Sequence, residues 1–329
     1  MTGFMPNTVL PGHRLFDAPP AEPRQVRKGQ VGVVGIPSDF THSSRIGTRF
    51  GPQALRESTT ALWTRWNDGE TVCPETGERS VRRADWIVDC GDAVIDTSSV
   101  ERTTEAIAEA TEAVVRAGGV ALALGGDHYN SYPACLGVSR ALADLYPGLR
   151  IGYVQIDGHL DFSDRLGSWG THNHATNARR ISELPNVRLQ DMAWIGISCW
   201  VDGGDLKRIE QGGGLVLSAG DVHRMGAAAA ARLALQHSTA NCDLLYLTID
   251  IDAMDSGYLP GTGSIVHSGI TPKQYYDILD VLSDAPFCGL DLVEVSPPLD
   301  PSGRSEYLAA EMLVRVLRRY HSVPLERPE

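Results

Sequence analysis

The chain lacks several features that mark whole classes of protein. Its six cysteines are scattered and include no Cys-x-x-Cys pair, which favours reduced, buried thiols over a disulfide framework. No apolar run approaches the roughly 18 residues that span a bilayer, and the N-terminus carries no signal segment. These absences predict a cytoplasmic protein with no membrane partner.

Positive charge is also scarce. The 29 Lys and Arg residues face 41 Asp and Glu residues, so that the net charge is −12, and they form no basic block. A nucleic-acid partner needs a concentrated positive surface, and none is therefore expected. The acidic balance suits a protein that attracts metal ions or a cationic substrate, although it also serves solubility.

The 329 residues contain no internal repeat and no change of composition that would divide the chain. After a stretch rich in Pro and charge, short apolar runs alternate with helical patterns. This alternation predicts one α/β domain, a three-layer sandwich in which helices cover both faces of a mostly parallel sheet. We predict an N-terminal arm at 1–29, a catalytic domain at 30–322 and a C-terminal tail at 323–329.

Local patterns place the individual elements. Strands are predicted at 31–35, 86–88, 120–124, 151–156, 192–197, 215–218, 244–249 and 289–293. Helices are predicted at 52–60, 100–117, 131–145, 176–183, 221–237, 272–284 and 306–320. The Asn, Gly, Pro, Glu and Arg residues of 67–83 indicate an exposed loop.

Two acidic strings directly follow predicted strands. One contains Asp157, His159 and Asp161, and the other contains Asp250 and Asp252. Successive side chains of an extended backbone alternate between faces, so the members of each string point the same way. Carboxylates repel one another unless a cation compensates their charge. The strings therefore indicate a metal site.

Two further strands end in residues of the same kind. His128 follows the turn Gly-Gly-Asp after one strand, and Glu294 follows another. An isolated Asp-x-Asp is often a solvated turn or a helix cap, and Gly-Gly-Asp-His can be only a turn. In a parallel sheet, however, the functional crevice lies beyond the carboxyl ends of the strands. Four such endings predict one shared site.

The composition of this site favours two ions over one. Two imidazoles and four carboxylates exceed what one tetrahedral zinc with an open position requires. They suit two divalent ions about 3.5–4 Å apart, and the excess of oxygen favours manganese, nickel, cobalt or iron over zinc. A water shared by such ions loses its proton near neutral pH, which predicts hydrolysis. The predicted metal ligands are His128, Asp157, His159, Asp161, Asp250 and Asp252.

The motifs resemble those of the ureohydrolase family, which includes arginases, agmatinases and guanidinobutyrases. They occur in the family's order over about residues 30–320, at 125–128, 157–161, 250–255, 260–263 and 294–297. The resemblance implies an arginase-like fold and two divalent ions per subunit, Mn²⁺ or Ni²⁺. It also implies a homo-oligomer, a trimer or hexamer, with a hetero-oligomer as the alternative.

The resemblance also implies roles for single residues. One ion would bind His128, Asp157, Asp161 and Asp250, and the other would bind His159, Asp157, Asp250 and Asp252. Glu294 would hold a guanidinium cation through charge-assisted hydrogen bonds. Asp161 would relay a proton to the leaving nitrogen, and His174 would act as a mobile proton shuttle. His172 is a rival for the shuttle, because His-Asn-His leaves the alignment ambiguous by two residues.

The implied reaction cleaves a guanidino C–N bond and releases urea and an amine or ammonia. Arginases carry charged residues after the strand at 192–197, whereas 196–201 is uncharged here. A buried α-ammonium group would then lack a partner, so L-arginine is disfavoured and a small or alkylated guanidine or a biguanide is predicted.

Other departures lie near the expected mouth of the site. Trp169 and Trp200 would wall a small guanidine, unless they serve core or interface packing. His172 and His267 are further candidates for substrate contact. Gly158 stands where the family has Ala, and its missing methyl would enlarge or loosen the metal shell.

Two other functions stay open from the sequence. A formimino- or amide-type hydrolase with the same metal pair would release formamide or ammonia and no urea. A non-catalytic subunit of a heteromeric hydrolase would be expected to have lost ligands, whereas all six ligand positions and Glu294 are present.

Overall fold

A computed structural model describes residues 8–9, 11–63, 70–73, 77, 79–83 and 85–324. The strands among them are β1 (Thr8–Val9), β2 (Val31–Gly35), β3 (Glu70–Val72), β4 (Arg79–Arg82), β5 (Ile87–Ala93), β6 (Val120–Leu124), β7 (Ile151–Ile156), β8 (Val187–Ile197), β9 (Leu215–Ser218), β10 (Leu244–Asp250), β11 (Phe287–Val293) and β12 (Ser322–Pro324). The α-helices are α1 (Gly51–Trp63), α2 (Val100–Arg116), α3 (Ser131–Leu145), α4 (Asn177–Ile181), α5 (Gly203–Gln211), α6 (Ala219–Met225), α7 (Ala227–Thr239), α8 (Pro272–Leu282), α9 (Arg304–Val316) and α10 (Arg318–His321).

The main sheet contains nine strands in the order β1-β5-β2-β6-β11-β10-β7-β8-β9. Its neighbouring strands are parallel except for the edge pair of β1 and β5. The predicted mostly parallel sheet is confirmed, and each predicted strand and helix overlaps an observed one. Within the described ranges, every helix is too short or too polar to cross a bilayer.

Helices cover both faces of this sheet. Along β6, Leu122 and Leu124 join one hydrophobic cluster while Ala121 and Ala123 join another, as the alternation of side chains along a strand requires. The first cluster also contains buried side chains of α1, α7, α8 and α9, and the second contains those of α2, α3, α4 and α5. Because both faces are covered, apolar residues predominate in the central strands, as in other parallel sheets. The three-layer prediction is confirmed.

Several helices start at caps that the sequence encodes. The Thr271 hydroxyl accepts a hydrogen bond from the backbone N–H of Gln274, whose side-chain oxygen accepts one from the backbone N–H of Thr271, and Pro272 occupies the first turn of α8. The predicted helix at 221–237 is instead interrupted at Gly226, where φ is +87° and α6 gives way to α7. The prediction also missed α5, in which only Ile209 is buried.

The loop predicted at 67–83 is wrong in part. β3 and β4 lie within it and form a second, three-stranded antiparallel sheet with β12. Their Glu, Arg, Ser and Thr residues carry little of the apolar alternation by which a strand is recognised.

The described part of the N-terminal arm packs onto the domain. Leu15 and Phe16 are buried in the first hydrophobic cluster, and the backbone of Leu15 donates to Asp89 at 2.9 Å. Residues 1–7 and 10 of the arm and 325–329 of the predicted tail lie outside the described residues. The domain boundaries at 29 and 322 stay predictions.

Candidate metal centre

The strands that carry the predicted ligands are neighbours in the sheet. β6, β11, β10 and β7 lie side by side in that order. His128, Glu294 and Asp157 follow three of them, and Asp250 is the last residue of the fourth. These strands are far apart in the sequence, and their parallel pairing brings the four endings to one rim of the sheet.

One group of ligands surrounds the buried ring of His128. The Nδ1 atom lies 2.9 Å from Asp250 Oδ2, 3.0 Å from Asp161 Oδ2 and 3.1 Å from Asp157 Oδ2. His128, Asp157 and Asp250 are buried and Asp161 is nearly so. We call these four residues the deep half of the centre.

A chain of hydrogen bonds sets the orientation of the His128 ring. Asp291 accepts hydrogen bonds from the hydroxyls of Tyr246 at 2.7 Å and Thr248 at 2.5 Å. Because the Thr248 hydroxyl donates to Asp291, it accepts from His128 Nε2, 3.0 Å away. The proton of a neutral ring is therefore on Nε2, and Nδ1 presents a lone pair.

The surroundings of this lone pair show whether a metal ion can bind among these residues. His128 Nδ1 is buried and has no hydrogen-bond partner, yet three carboxylates surround it. A lone pair that faces carboxylate oxygens is repelled unless a cation lies among them. One imidazole nitrogen and three carboxylates form a donor set that divalent transition metals accept. The residues present fit a metal ion.

The second group surrounds His159. Its Nδ1 atom lies 3.1 Å from Asp252 Oδ2 and 3.5 Å from Asp157 Oδ1. The His159 side chain is 28% exposed, in contrast to the buried His128. We call His159, Asp157 and Asp252 the open half. Asp157 belongs to both halves because each of its oxygens faces a different imidazole.

Backbone N–H groups hold the carboxylates in place. Gly158 donates to Asp252 Oδ1 at 3.1 Å, and His159 donates to Asp157 Oδ1 at 2.6 Å. Asp252 donates to Asp250 Oδ1 at 2.8 Å. These donors orient the carboxylates without neutralising them, so the other oxygens stay free to bind a cation.

The charges of the cluster are poorly balanced within the protein alone. Burial and the charges of Asp252 and Asp157 raise the pKa of Asp250 well above its usual value. Burial and the charge of Asp157 likewise raise the pKa of Asp252 to about 7. Burial also raises the pKa of Asp157, but His128 and His159 outweigh it and the net shift is downward. Divalent cations would stabilise all three ionised carboxylates.

Two site residues have left-handed backbones. The φ angle is +47° at Asp161 and +66° at Glu294, a region that residues other than glycine rarely adopt. Hydrogen bonds hold both: Glu294 N donates to Gly126 O at 2.9 Å, and Ala178 N donates to Asp161 O at 3.1 Å. Such conformations concentrate at functional sites, where the surroundings enforce them.

Glu294 is buried beside the deep half. Its Oε1 atom accepts a hydrogen bond from His128 N at 2.8 Å, and its Oε2 atom lies 3.2 Å from His42 Nε2. Burial raises the pKa of Glu294, but the nearby His42 and His174 outweigh it and hold the pKa below its usual value. The carboxylate is thus kept ionised, as a group that binds a cation must be.

The structure separates the two candidates for the proton shuttle. The His174 ring stacks on that of His42 with 4.3 Å between centroids, and its Nε2 atom lies 2.6 Å from Ser43 Oγ. The His172 ring packs 6.0 Å from Tyr129 and is hydrogen-bonded to Thr171. His174 therefore adjoins the Glu294 side of the centre, whereas His172 contacts an aromatic cluster.

A cavity of about 140 Å³ opens beside the open half. Its lining includes His159, Asp161, Cys199, Trp200, Asp202 and Asp205. Trp200 is fully exposed and Trp169 is half exposed, which argues against core packing for either. His267 is hydrogen-bonded to Ser256 in an exposed pair.

The structure contradicts the expected enlargement at Gly158. A Cβ atom at Gly158 would lie 2.6 Å from Val266 Cγ1 and 3.0 Å from Asp252 O. The space of the missing methyl is already filled by Val266, so the glycine does not enlarge the centre. That it loosens the metal shell stays a prediction.

The sequence reading missed residues that contact the site. Gln155 donates to Asp157 Oδ2 at 2.5 Å, and Thr248 holds His128. His42 and Ser43 follow β2, which pairs with β6, so the rule of strand endings could have selected them. No local signal marks Gln155 or Thr248, because both lie within apolar strands.

Comparisons with known proteins agree with this geometry. The profile described as Arginase family matches residues 29–318. The chain is 32% identical to the human mitochondrial guanidino acid hydrolase over 86% of this chain and 76% of that protein. It is 29% identical to an agmatinase of Chromobacterium violaceum, over 89% and 84% of the two chains. The structure of proclavaminate amidino hydrolase from Streptomyces clavuligerus superposes with a TM-score of 0.77 at 25% identity, covering 96% of this chain and 99% of that one.

Proposed function

The chain belongs to the arginase family, and from this premise we propose that it is a binuclear metal hydrolase of a guanidino compound. The reaction would add water, cleave one guanidino C–N bond and release urea with an amine or ammonia. The observation that carries the proposal is the buried, unpartnered Nδ1 atom of His128 among the carboxylates of Asp157, Asp161 and Asp250.

The two halves of the centre would hold one divalent ion each, and Asp157 faces both of them. Mn²⁺ and Ni²⁺ suit the mixture of carboxylate oxygen and imidazole nitrogen. When bound, such a pair lowers the pKa of a shared water and supplies the nucleophile near neutral pH.

The chain's own residues would bind the substrate and move its protons. The ionised carboxylate of Glu294 would orient the planar cation through charge-assisted hydrogen bonds. Asp161 lies in the deep half and also borders the cavity, so it could take the proton of the nucleophile and deliver it to the leaving nitrogen. His174, held by Ser43, would carry protons between this nitrogen and solvent.

The cavity supports a particular class of substrate. Its acidic lining residues besides Asp161 of the metal centre are Asp202 and Asp205, and among the described residues no Lys or Arg lines it. A substrate tail that ends in a carboxylate would meet like charge there, which is unfavourable. Small or alkylated guanidines and biguanides avoid this repulsion, and a cationic tail would gain from it. We therefore place them before L-arginine and guanidino acids.

A product screen tests the proposal. The protein loaded with Mn²⁺ or with Ni²⁺ is offered guanidine, agmatine, a biguanide, 4-guanidinobutyrate and L-arginine, and the release of urea is measured. We expect urea from one of the first three and little from the last two. Glu294→Gln should keep its metal content and lose turnover, because it removes the charge that orients the cation.

Other products would identify other functions. Formamide or ammonia without urea from a formimino compound would favour the alternative hydrolase. If the fully metallated protein hydrolysed none of these compounds, the catalytic proposal would fail and a role as a non-catalytic subunit would gain support.

A further inference from the structure

The loop after β2 places an imidazole against the carboxylate that is proposed to bind the substrate. His42 is buried, and its Nε2 atom lies 3.2 Å from Glu294 Oε2. Its Nδ1 atom accepts the backbone N–H of Ser44 at 2.9 Å. A proton on Nε2 therefore lies beside the carboxylate. His42 thus covers one side of Glu294.

Two neighbours pack closely on the His42 ring. Its ring packs so closely on Gly263 that a Cβ atom there would lie 2.6 Å from His42 Nε2. Arg45 ties the same two loops together by donating to Gly263 O at 3.1 Å and Thr262 O at 2.8 Å. The stacked ring of His174 covers another face of the imidazole. The ring is a fixed wall of the site.

A third metal ion does not explain this arrangement. One ligand atom each from His42, His174 and Glu294 lie within 4.8 Å of one another, which admits an ion by distance alone. The two rings, however, are nearly parallel, with 12° between their planes. The lone pairs of imidazoles lie in the ring planes, so those of stacked rings cannot converge on one ion. The cluster is better suited to shaping the substrate space.

Both Glu294 oxygens already have a neighbour within the protein. Oε1 accepts from His128 N, and Oε2 faces His42, so a guanidinium must approach the acceptor positions that are left. A nitrogen that bonds to Oε2 would lie beside the imidazole and could carry hydrogen but no alkyl group. The cavity on the His159 side, by contrast, has room for substituents.

We infer that His42 is a specificity-determining residue, whose ring excludes substituents from the guanidinium nitrogen that bonds to Glu294 Oε2. The inference rests on the proposed function and refines it. Compounds with substituents on two nitrogens would place one substituent either against His42 beside Oε2 or against the backbone of His128 beside Oε1.

Two isomers of dimethylguanidine test this restriction. They have the same size and charge and differ only in where the methyl groups lie. Hydrolysis of N,N-dimethylguanidine consumes one water and yields urea and dimethylamine, whereas N,N′-dimethylguanidine yields methylurea and methylamine. Amine release, measured by chromatography, follows both reactions. We expect the metallated wild-type protein to favour the N,N isomer by at least about tenfold in kcat/KM.

The informative variant is His42→Ala. It should raise the ratio of kcat/KM for the N,N′ isomer over the N,N isomer by about tenfold or more, since the wall beside Glu294 is removed. Ser43→Ala is the matched control, because it removes only the hydrogen bond to His174. It should lower kcat for both isomers alike and leave the ratio unchanged. His42→Asn, which is also shorter, replaces the alanine variant if that one does not fold.

The outcomes separate the inference from the function on which it rests. An unchanged isomer ratio in His42→Ala or His42→Asn, with wild-type turnover intact, would overturn the inference alone. A loss of metal from His42→Ala would also count against it, since it would place His42 in the metal shell. If the wild-type protein releases no amine from either isomer, the ratio of the isomers' binding constants, from calorimetry on the metallated proteins, decides the inference, while the product screen alone decides the proposed function.

Discussion

The two halves of the centre share Asp157 but differ in how the fold supports them. In the deep half, Thr248 fixes the ring of His128, and Asp291 in turn holds Thr248. In the open half, His159 is partly exposed and borders the cavity. The deep half is thus buried at the rim of the sheet, whereas the open half borders the cavity by which the proposed substrate would enter.

This difference indicates that the two halves serve different purposes in metal binding and in substrate exchange. A ligand whose orientation is set by buried hydrogen bonds loses little freedom when it binds an ion, which favours affinity. A ligand at the edge of a cavity can adjust while the substrate enters and the product leaves. We therefore expect the deep half to bind its ion more tightly than the open half does. A substitution in one half should mainly weaken the affinity for the ion bound by that half.

The largest effect is expected from Asp250→Asn. Asp250 lies 2.9 Å from His128 Nδ1 and holds the backbone of Asp252, so it connects the two halves. The variant should lose metal and turnover together, by on the order of 10³-fold in kcat/KM, because a bound metal contributes several kcal/mol. Metal content and urea release are measured side by side. Asp277→Asn, which alters a surface partner of Lys273, is the control. Full activity in a metal-poor Asp250→Asn protein would contradict this role.

Thr248→Val should weaken the deep half alone. It removes the acceptor for His128 Nε2 while keeping the shape of the side chain, so the ring can rotate or change tautomer. Affinity for the tighter of the two ions, measured by calorimetric titration of the metal-free protein, should fall by about 10–100-fold. Ser131→Ala is the control, because the Ser131 hydroxyl contacts Thr248 at 3.1 Å but is not the partner of His128 Nε2. Equal losses at both ions would show that the halves are not independent.

The metal-free protein should be less stable at pH 8 than at pH 5. The pKa of Asp252 is raised from its ordinary value to about 7, so folding favours its protonated form. Its contribution to stability is therefore lost as the pH rises from about 4 to about 7 and changes little above that. A lowering of Tm on the order of 5 °C is expected, and Mn²⁺ should reverse it. Asp252→Asn should flatten the profile; a profile as steep as that of the wild type would assign the effect to other groups.

Gly158→Ala should have the smallest effect, confined to the open half. The new methyl group would press on Val266 and on the backbone of Asp252, which must shift slightly. The affinity for the weaker ion should fall by up to about tenfold. The double variant Gly158→Ala/Val266→Ala should recover most of the lost affinity, because shortening Val266 makes room for the new methyl group. No recovery in the double variant would point to the backbone contact with Asp252.

Much of the fold was predictable because the core strands are short apolar runs between turns. β2, β6, β7 and β9 begin and end as the sequence indicates. β3 and β4 were not predictable, since their side chains of described burial are exposed or half-buried and produce no apolar alternation. The break at Gly226 was also missed, because a single glycine does not by itself end a helical pattern.

The residues of the candidate site were also predictable only in part. The predicted ligands could be selected because each is a charged or metal-binding side chain at the end of an apolar strand. Gln155, Thr248 and His42 act through contacts with residues far away in the chain. Such contacts depend on which strands become neighbours, and strand order is not encoded in any local pattern.

By itself, the sequence determined the chemistry of the ligands, the strands that carry them and the family to which the chain belongs. Only the tertiary structure decided that β6, β11, β10 and β7 are consecutive, that Asp157 faces both imidazoles, and that His42 covers Glu294. The physical reason is the distance along the chain over which each kind of interaction acts. Apolar periodicity and turn residues act over a few positions, whereas the order of strands in a sheet depends on how the helices pack across both of its faces.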